Sequence, residues 1–235
     1  MKNNITLISA SLCFALLTGS AHAASMDPVS ETEMSRAKLM AMAGETTTAS
    51  LARRSLNTTA VQSDATGTAG ITTPTVEFLR VQPHRFSKSE LSANKRWADA
   101  TSYDYRTDEL ITTVVDLDNN QVISTQRTKN MQPPMAQKEI SRAIEIVFED
   151  AEERGILNAE FARITGDTLT SIDQLQHKAF TFFSDSMPDV VNNATISCGA
   201  QRCAQLLLYT HDNIVFEVSP IVNLSAGLVT QRLGY

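Results

Sequence analysis

The sequence predicts an α+β protein made of two duplicated units, each a helix packed on an antiparallel β-meander sheet. The main observation is an internal repeat, in which the run Pro28–Ala37 returns as Pro134–Ala143, 106 residues later. The same offset relates three more pairs: Arg96 and Arg202, Ala98 and Ala204, and Tyr103 and Tyr209. A repeat this long indicates two small domains rather than a solenoid. Within each copy a helical pattern precedes the strand patterns, which indicates a layered α+β unit.

The first 23 residues have the pattern of a secretory signal peptide. Lys2 precedes the apolar stretch Ile5–Leu17, and Ala21-His22-Ala23 is a small-x-small cleavage site. The apolar stretch is too short for a membrane-spanning helix. We therefore expect cleavage after Ala23 and a periplasmic or secreted chain without a membrane span.

The net charge argues against nucleic-acid binding, and the length indicates the number of domains. Removing the signal takes away one Lys and no acidic residue, which moves the net charge from −6 to −7. An acidic chain without a basic stripe is a poor nucleic-acid binder. A mature length of about 210 residues suits two domains, which we place at residues 24–128 and 129–235.

The first unit begins with a predicted helix and an insert. Ser30 and Glu33 match a capping box, and an apolar stripe interrupted by Lys38 predicts a helix that ends near Gly44. Residues 45–75 are rich in Thr, Ala, Ser and Gly and lack periodicity, so they predict a flexible insert.

Strand patterns complete the first unit. Residues 76–83 form an extended stretch, and residues 97–105 and 110–117 alternate in the manner of strands. Residues 118–121 are a tight-turn signal, because Asn tolerates positive φ. Residues 122–126 close the meander.

The second unit repeats this order. Pro133 and Pro134 precede an apolar stripe that runs from Ile140 to Ala151, and Gly155 is the predicted helix stop. Four strand segments are predicted after it: 180–188, 203–210, 214–224 and 228–231.

Two cysteines remain after the predicted signal, Cys198 and Cys203. In an exported chain one close pair predicts a disulfide, here at a hairpin corner of the second unit. The alternative is a redox or metal role. That alternative lacks a C-x-x-C spacing and an accompanying pair of histidines.

The segment Asp116-x-Asp118-x-Asn120 begins like a calcium-binding loop. The next residue is Gln121 rather than Gly, and the twelfth position holds Arg127 rather than Glu. A β-turn is the alternative that these departures favour.

Other side chains could form a site. The candidates are His84, His177 and His211 as metal ligands, Asp104, Asp108, Glu109 and Asp116 as a reactive carboxylate pair, and Trp97, Tyr103 and Tyr105 as an aromatic binding face. For the histidines the alternative is that they lie apart from one another. For the carboxylates it is a solvated hairpin corner, and for the aromatic residues it is core packing. No nucleophile elbow accompanies them. We assign no catalytic, cofactor-binding or metal-binding residue.

The order of these motifs resembles the two small N-terminal domains of copper amine oxidases. The resemblance spans residues 26–235 and implies a cystatin-like layout in each unit. It rests on six segments: Met26-Asp27-Pro28, Arg96-Trp97-Ala98, Tyr103-Asp104-Tyr105, Val115-Asp116-Leu117, Met131-Gln132-Pro133-Pro134 and Arg154-Gly155-Ile156.

The resemblance implies no chemistry for this chain. Copper amine oxidases hold copper with three histidines, two of them as His-x-His, in a large C-terminal domain. They build a quinone from the tyrosine of an Asn-Tyr-Asp/Glu motif in that domain. Neither motif occurs in this sequence.

Three hypotheses follow. The leading one is an exported noncatalytic interaction protein with an unknown protein partner and no cofactor. The second is an accessory or copper-associated component of a primary-amine oxidase system. The third is an unrelated enzyme with a carboxylate site between the two units. They predict, in turn, a protein partner, bound copper and a polar cleft.

Overall fold

The computed structural model describes residues 27–55, 73–87 and 95–234, with side chains from 27–44 in the first of these ranges. The predicted signal peptide and its cleavage site at Ala23 lie outside these residues. No described helix has both the length and the apolarity to cross a bilayer.

The first unit consists of one helix and a four-stranded antiparallel sheet. Its elements are α1 (Glu31–Ser55), β1 (Val76–Pro83), β2 (Trp97–Asp104), β3 (Glu109–Asp116) and β4 (Gln121–Lys129). The strands lie in sequence order. Ala37 of α1 packs on Ala98 and Val115, because its small side chain lets the helix lie close to the sheet.

The second unit has the same layout with a second helix added. Its elements are α2 (Gln137–Glu149), α3 (Ala151–Thr165), β5 (Leu175–Thr181), β6 (Cys203–Thr210), β7 (Val218–Asn223) and β8 (Leu228–Gly234). These strands also form a sheet in sequence order. The predicted α+β architecture of two helix-plus-sheet units is therefore confirmed.

The largest core cluster contains residues of both units. Tyr103 and Leu110 of the first sheet belong to it together with Ile144 of α2 and Leu206 and Leu208 of β6. Each fully buried Leu or Ile contributes about 1.5–3 kcal/mol. Since α2 contributes to this cluster and also contacts all four strands of the second sheet, it is the layer that joins the two units.

The prediction of one helix ending near Gly155 is wrong. The backbone of Asp150 is extended, with ψ 119°, and its side chain accepts hydrogen bonds from the amides of Glu152 and Glu153. Asp150 therefore ends α2 and caps a new helix, α3. Gly155 lies inside α3, and the left-handed glycine after that helix is Gly166, at φ 80°.

Two other predicted boundaries are also wrong. Helix α1 continues to Ser55 rather than ending near Gly44, so the start of the predicted insert 45–75 has a helical backbone. Residues 56–72 of that insert lie outside the described residues. The strand predicted at 180–188 is Leu175–Thr181 instead, because the chain leaves the sheet at Phe182 and folds over its outer face.

Residues 182–202 form the loop that covers this outer face. Phe182 packs with Ile221 and Leu233. Cys198 and Cys203 form a disulfide, and the amide and hydroxyl of Ser184 both donate to the carbonyl of Cys198. The cysteine pair is therefore a structural clamp on the loop.

Replacing both cysteines with serine is expected to destabilise the protein by about 2 kcal/mol, because the disulfide closes a loop of about six residues. Urea unfolding of the double variant and the native chain at pH 7 measures this difference. An unchanged midpoint would show that the apolar packing of Phe182 holds the loop without the disulfide.

Candidate functional site

An arginine–glutamate clamp fixes the start of α1 to the sheet in the first unit. Arg96 donates from Nε and Nη2 to the two carboxylate oxygens of Glu33, each at 2.9 Å. It also donates to the carbonyls of Asp27 and Pro28. Glu33 accepts the amide of Ser30 at 2.8 Å, as the predicted capping box requires. One guanidinium thus holds both the helix start and the segment before it.

The second unit repeats this clamp at the offset of 106 residues. Arg202 donates from Nε and Nη2 to both oxygens of Glu139, each at 2.8 Å, and to the carbonyls of Pro133 and Pro134. The amide of Ala136 donates to Glu139, although alanine cannot return a side-chain cap. The repeat found in the sequence is therefore a repeat of this ionic interaction.

The two clamps differ in exposure. The side chains of Arg202 and Glu139 are fully buried, whereas that of Glu33 is 13% exposed. The difference arises because the first unit covers the second clamp.

Tyr105 connects the buried clamp to the first unit. Its hydroxyl lies 2.8 Å from an oxygen of Glu139 and 2.8 Å from an oxygen of Glu77. Its single proton serves one carboxylate at a time. Arg142 of α2 neutralises Glu77 at 2.8 Å and lies over the Tyr105 ring. This set of side chains is the joint network of the two units.

The protonation states at the joint are set by burial and by the paired arginines. Burial acts to raise the pKa of Glu139, but the hydrogen bonds and charge of Arg202 outweigh it, so this pKa lies below its ordinary value. Burial and the charge of Glu139 raise the pKa of Tyr105. At neutral pH the network therefore holds an ionised Glu139 and a protonated Tyr105, which suits an interface rather than proton transfer.

The linker between the units takes part in the joint. Gln132 donates from Nε2 to the Tyr103 hydroxyl at 3.1 Å and to the carbonyl of Gly199 at 3.0 Å. Across the same joint, Ser225 donates to Asp108. Local sequence patterns assigned no site role to Gln132, Glu139 or Arg142. The signal for Glu139 was nevertheless present, because it aligns with Glu33 in the repeat.

The aromatic candidates separate into two places. Tyr103 and Tyr105 are buried at the joint, with ring centroids 5.1 Å apart, so they do not form an exposed binding face. Trp97 lies at the other end of β2 beside the rings of His84 and Phe86. The structure therefore favours core packing over a binding face for the two tyrosines.

The calcium-like segment is a turn. Both oxygens of Asp116 are occupied: Oδ1 accepts the amides of Asp118 and Asn119, and Oδ2 accepts the Asn119 side chain. Asn120 has φ 52°, as the turn prediction requires. The carboxylate of Asp118 accepts the Arg96 amide. The β-turn interpretation is therefore confirmed.

Two of the carboxylate candidates near the strand ends are paired with an arginine. Asp104 and Glu109 share Nη1 of Arg127, each at 3.1 Å. Hydrogen bonds from Thr107 and Arg127 hold the pKa of Glu109 below its ordinary value. Arg106 lies 3.9 Å from Asp104, so two arginines balance the two carboxylates at this hairpin corner.

The three candidate histidines lie apart. His84 bonds Asp99 through Nδ1 at 2.6 Å in the first unit. His177 lines a groove of about 520 Å³ beside α2, where burial lowers its pKa. His211 contacts the carbonyl of Asp173 beside the turn after β6. Within residues 27–55, 73–87 and 95–234, no three His, Cys, Asp or Glu side chains converge on a metal-sized site.

The most exposed regular element is the edge strand β4. Eight of its nine residues are exposed, and none is buried. Among the described strands it pairs with β3 alone. It presents two apolar side chains to solvent, Val122 at 47% and Ile123 at 43% exposure.

Comparison with known proteins finds a likeness among solved structures. No protein-family model and no curated protein matches the sequence. A copper-containing benzylamine oxidase from Hansenula polymorpha superimposes with a TM-score of 0.48 at 12% sequence identity. The match covers 90% of this chain and 30% of the oxidase chain. The chain thus spans less than a third of that enzyme's length.

The two copies of the clamp form a matched pair for measuring the joint. Glu139→Gln is expected to destabilise the protein by about 3–5 kcal/mol at pH 7, because it leaves Arg202 buried without its anion. Glu33→Gln removes the same contacts at a partly exposed site and is expected to cost about 1.5–3 kcal/mol. Urea unfolding of both variants measures the difference. Equal losses would contradict the role assigned to the joint.

The same clamps predict a loss of stability in acid. The hydrogen bond from Arg96 is the main cause that lowers the pKa of Glu33 from 4.5 to about 2. A lowered carboxyl pKa stabilises the fold above the ordinary value, and this stability is lost as the pH falls through the folded-state value. The free energy of unfolding should therefore fall between about pH 4.5 and 2. Glu33→Gln should show a shallower fall than the native chain in the same titration.

Proposed function

We propose that the chain is an exported, noncatalytic interaction protein that binds an extended segment of a protein partner along β4. The observation that carries the proposal is the exposure of eight of the nine residues of this edge strand. The other edge strands, β1, β5 and β8, each contain a buried residue.

An edge strand can recruit a partner strand through its backbone. One side of the β4 backbone pairs with β3, and the N–H and C=O groups of the other side are available for a fifth strand. In this mode of recognition the main-chain hydrogen bonds supply affinity, and alternate side chains supply specificity. The exposed Val122 and Ile123 would add apolar contacts to such a strand.

The second half of β4 is protected against nonspecific pairing. Arg127 and Lys129 place cations there, and charged residues on an edge oppose aggregation. The first half contains a bulge at Ile123, because Ser124 pairs with Val114 and Val122 pairs with Val115. We place the binding segment at residues 121–126, the part of β4 that carries no charged residue.

Export and the lack of catalysis have separate support. The disulfide between Cys198 and Cys203 suits an oxidising compartment, in agreement with the predicted signal peptide. The carboxylate candidates Asp104, Glu109 and Asp116 are engaged with Arg127 or with a turn. We therefore infer a periplasmic or secreted chain that acts by binding.

Val122→Lys is expected to abolish partner capture, because it places a charge where a partner strand would pack. The matched control is Ile196→Lys, which alters another exposed apolar residue, 66% exposed, in the loop 182–202. The mature chain is used as bait in an envelope extract of its host. Amide hydrogen exchange of the recovered complex then shows whether residues 121–126 become protected.

Three results would redirect the proposal. Protection elsewhere in the chain would contradict binding at β4. Equal capture by Val122→Lys and Ile196→Lys would do the same. Stoichiometric copper or a co-purifying quinone oxidase in the eluate would support the amine-oxidation hypothesis instead.

A further inference from the structure

Each sheet carries one row of three residues on the face opposite its helix. In the first sheet Glu77, Tyr103 and Leu110 are paired across β1, β2 and β3. We call this row the first tyrosine rung. Tyr103 is separated from Ala98, which packs on α1, by an odd number of strand positions, so the two side chains point to opposite faces.

The second sheet has an equivalent row, the second tyrosine rung. Tyr209 lies 106 residues after Tyr103. It is paired with Gln176 on β5 and bridged to Val215. The two rungs therefore match in their strand pairing, and their tyrosines also match in repeat position.

The first rung is buried by the second unit. Tyr103 is fully buried and Leu110 is 6% exposed. Arg142 of α2 binds Glu77, and Gln132 binds the Tyr103 hydroxyl. The first rung is thus occupied by the linker, through Gln132, and by the start of α2, through Arg142.

The second rung is open. Val215 is 50% exposed, and Gln176 and Tyr209 are half-buried. No described element lies on the second rung as α2 lies on the first.

The complementary surface is also exposed on this chain, at the start of α1. Glu33 and Arg36 lie 106 residues before Glu139 and Arg142. Arg36 is exposed and donates to the carbonyl of Leu117 and the side chain of Asn120. Each chain therefore carries a second copy of both halves of its own joint, on different units.

We propose that one copy of this chain docks the start of its α1 onto the second tyrosine rung of another copy, as α2 docks on the first rung within a chain. The rung residues themselves carry no charge, because Gln176 stands where the first rung has the carboxylate of Glu77. His211 stands at the repeat position of Tyr105. Its ring nitrogens contact Gln176 and the carbonyl of Asp173.

This contact is heterologous, because the surface on one copy differs from the surface it meets on the other. Copies joined this way associate head to tail, into a ring or an open chain. The joint between copies lacks the Arg142–Glu77 ion pair, so it is weaker than the joint within a chain. We expect association that is reversible and dependent on concentration.

Sedimentation velocity of the mature chain over a concentration series tests this inference. The native chain should form dimers and longer species. Tyr209→Glu, which blocks the rung, and Arg36→Glu, which reverses the charge at the helix start, should each sediment as monomers. An equimolar mixture of the two variants should restore dimers only, since each variant keeps one working surface.

Two further variants keep the experiment decisive. Val215→Lys replaces Tyr209→Glu if circular dichroism shows that the latter misfolds. Ile196→Lys should leave association unchanged, because the loop 182–202 is not part of the contact. Monomers at every concentration, a mixture that stays monomeric, or association lost only in Ile196→Lys would overturn the inference. Since partner capture is scored separately on β4, failure here leaves the proposed function standing.

Discussion

The fully buried ion pair between Arg202 and Glu139 is the interaction on which the rest of the structure depends. Arg202 is held to both oxygens of Glu139 and to the carbonyls of Pro133 and Pro134. It therefore fixes β6, the start of α2 and the linker in one arrangement. A buried pair of this kind is costly to desolvate, and this cost is offset only when every partner is in place. The clamp thus favours one arrangement of the joint over alternatives.

Duplication explains why the same clamp has two different roles. In the first unit Arg96 and Glu33 fix the helix start and remain partly in contact with solvent. In the second unit the equivalent pair is covered by Tyr105 and Glu77, and it becomes the centre of a joint. This joint buries the first tyrosine rung and the start of α2. The surfaces left over are the edge strand β4, the second tyrosine rung and the start of α1.

Local patterns in the sequence predicted the elements that local forces decide. The strands at 76–83 and 203–210 were predicted at their observed bounds. In the strand at 203–210, buried and partly buried residues alternate, as expected when one face of a strand is buried. The turn around Asn120 was predicted from its tolerance of positive φ. The break at Asp150 was missed, since the apolar stripe continues to Ala151 and the capping hydrogen bonds of Asp150 depend on a change of chain direction. The candidate site was predicted less well, because Gln132 and Arg142 act on groups far away in the chain.

The sequence by itself determined the duplication, the α+β layout and the identity of the paired cysteines. These features follow from repeat spacing, hydrophobic period and cysteine count, which need no knowledge of distant contacts. Only the tertiary structure decided which copy of the clamp is buried, where Tyr103 and Tyr105 point, and that no described element covers β4 or the second rung. The physical reason is that burial depends on which surfaces meet. The two units share a motif, but only one of the two clamps is covered by the other unit.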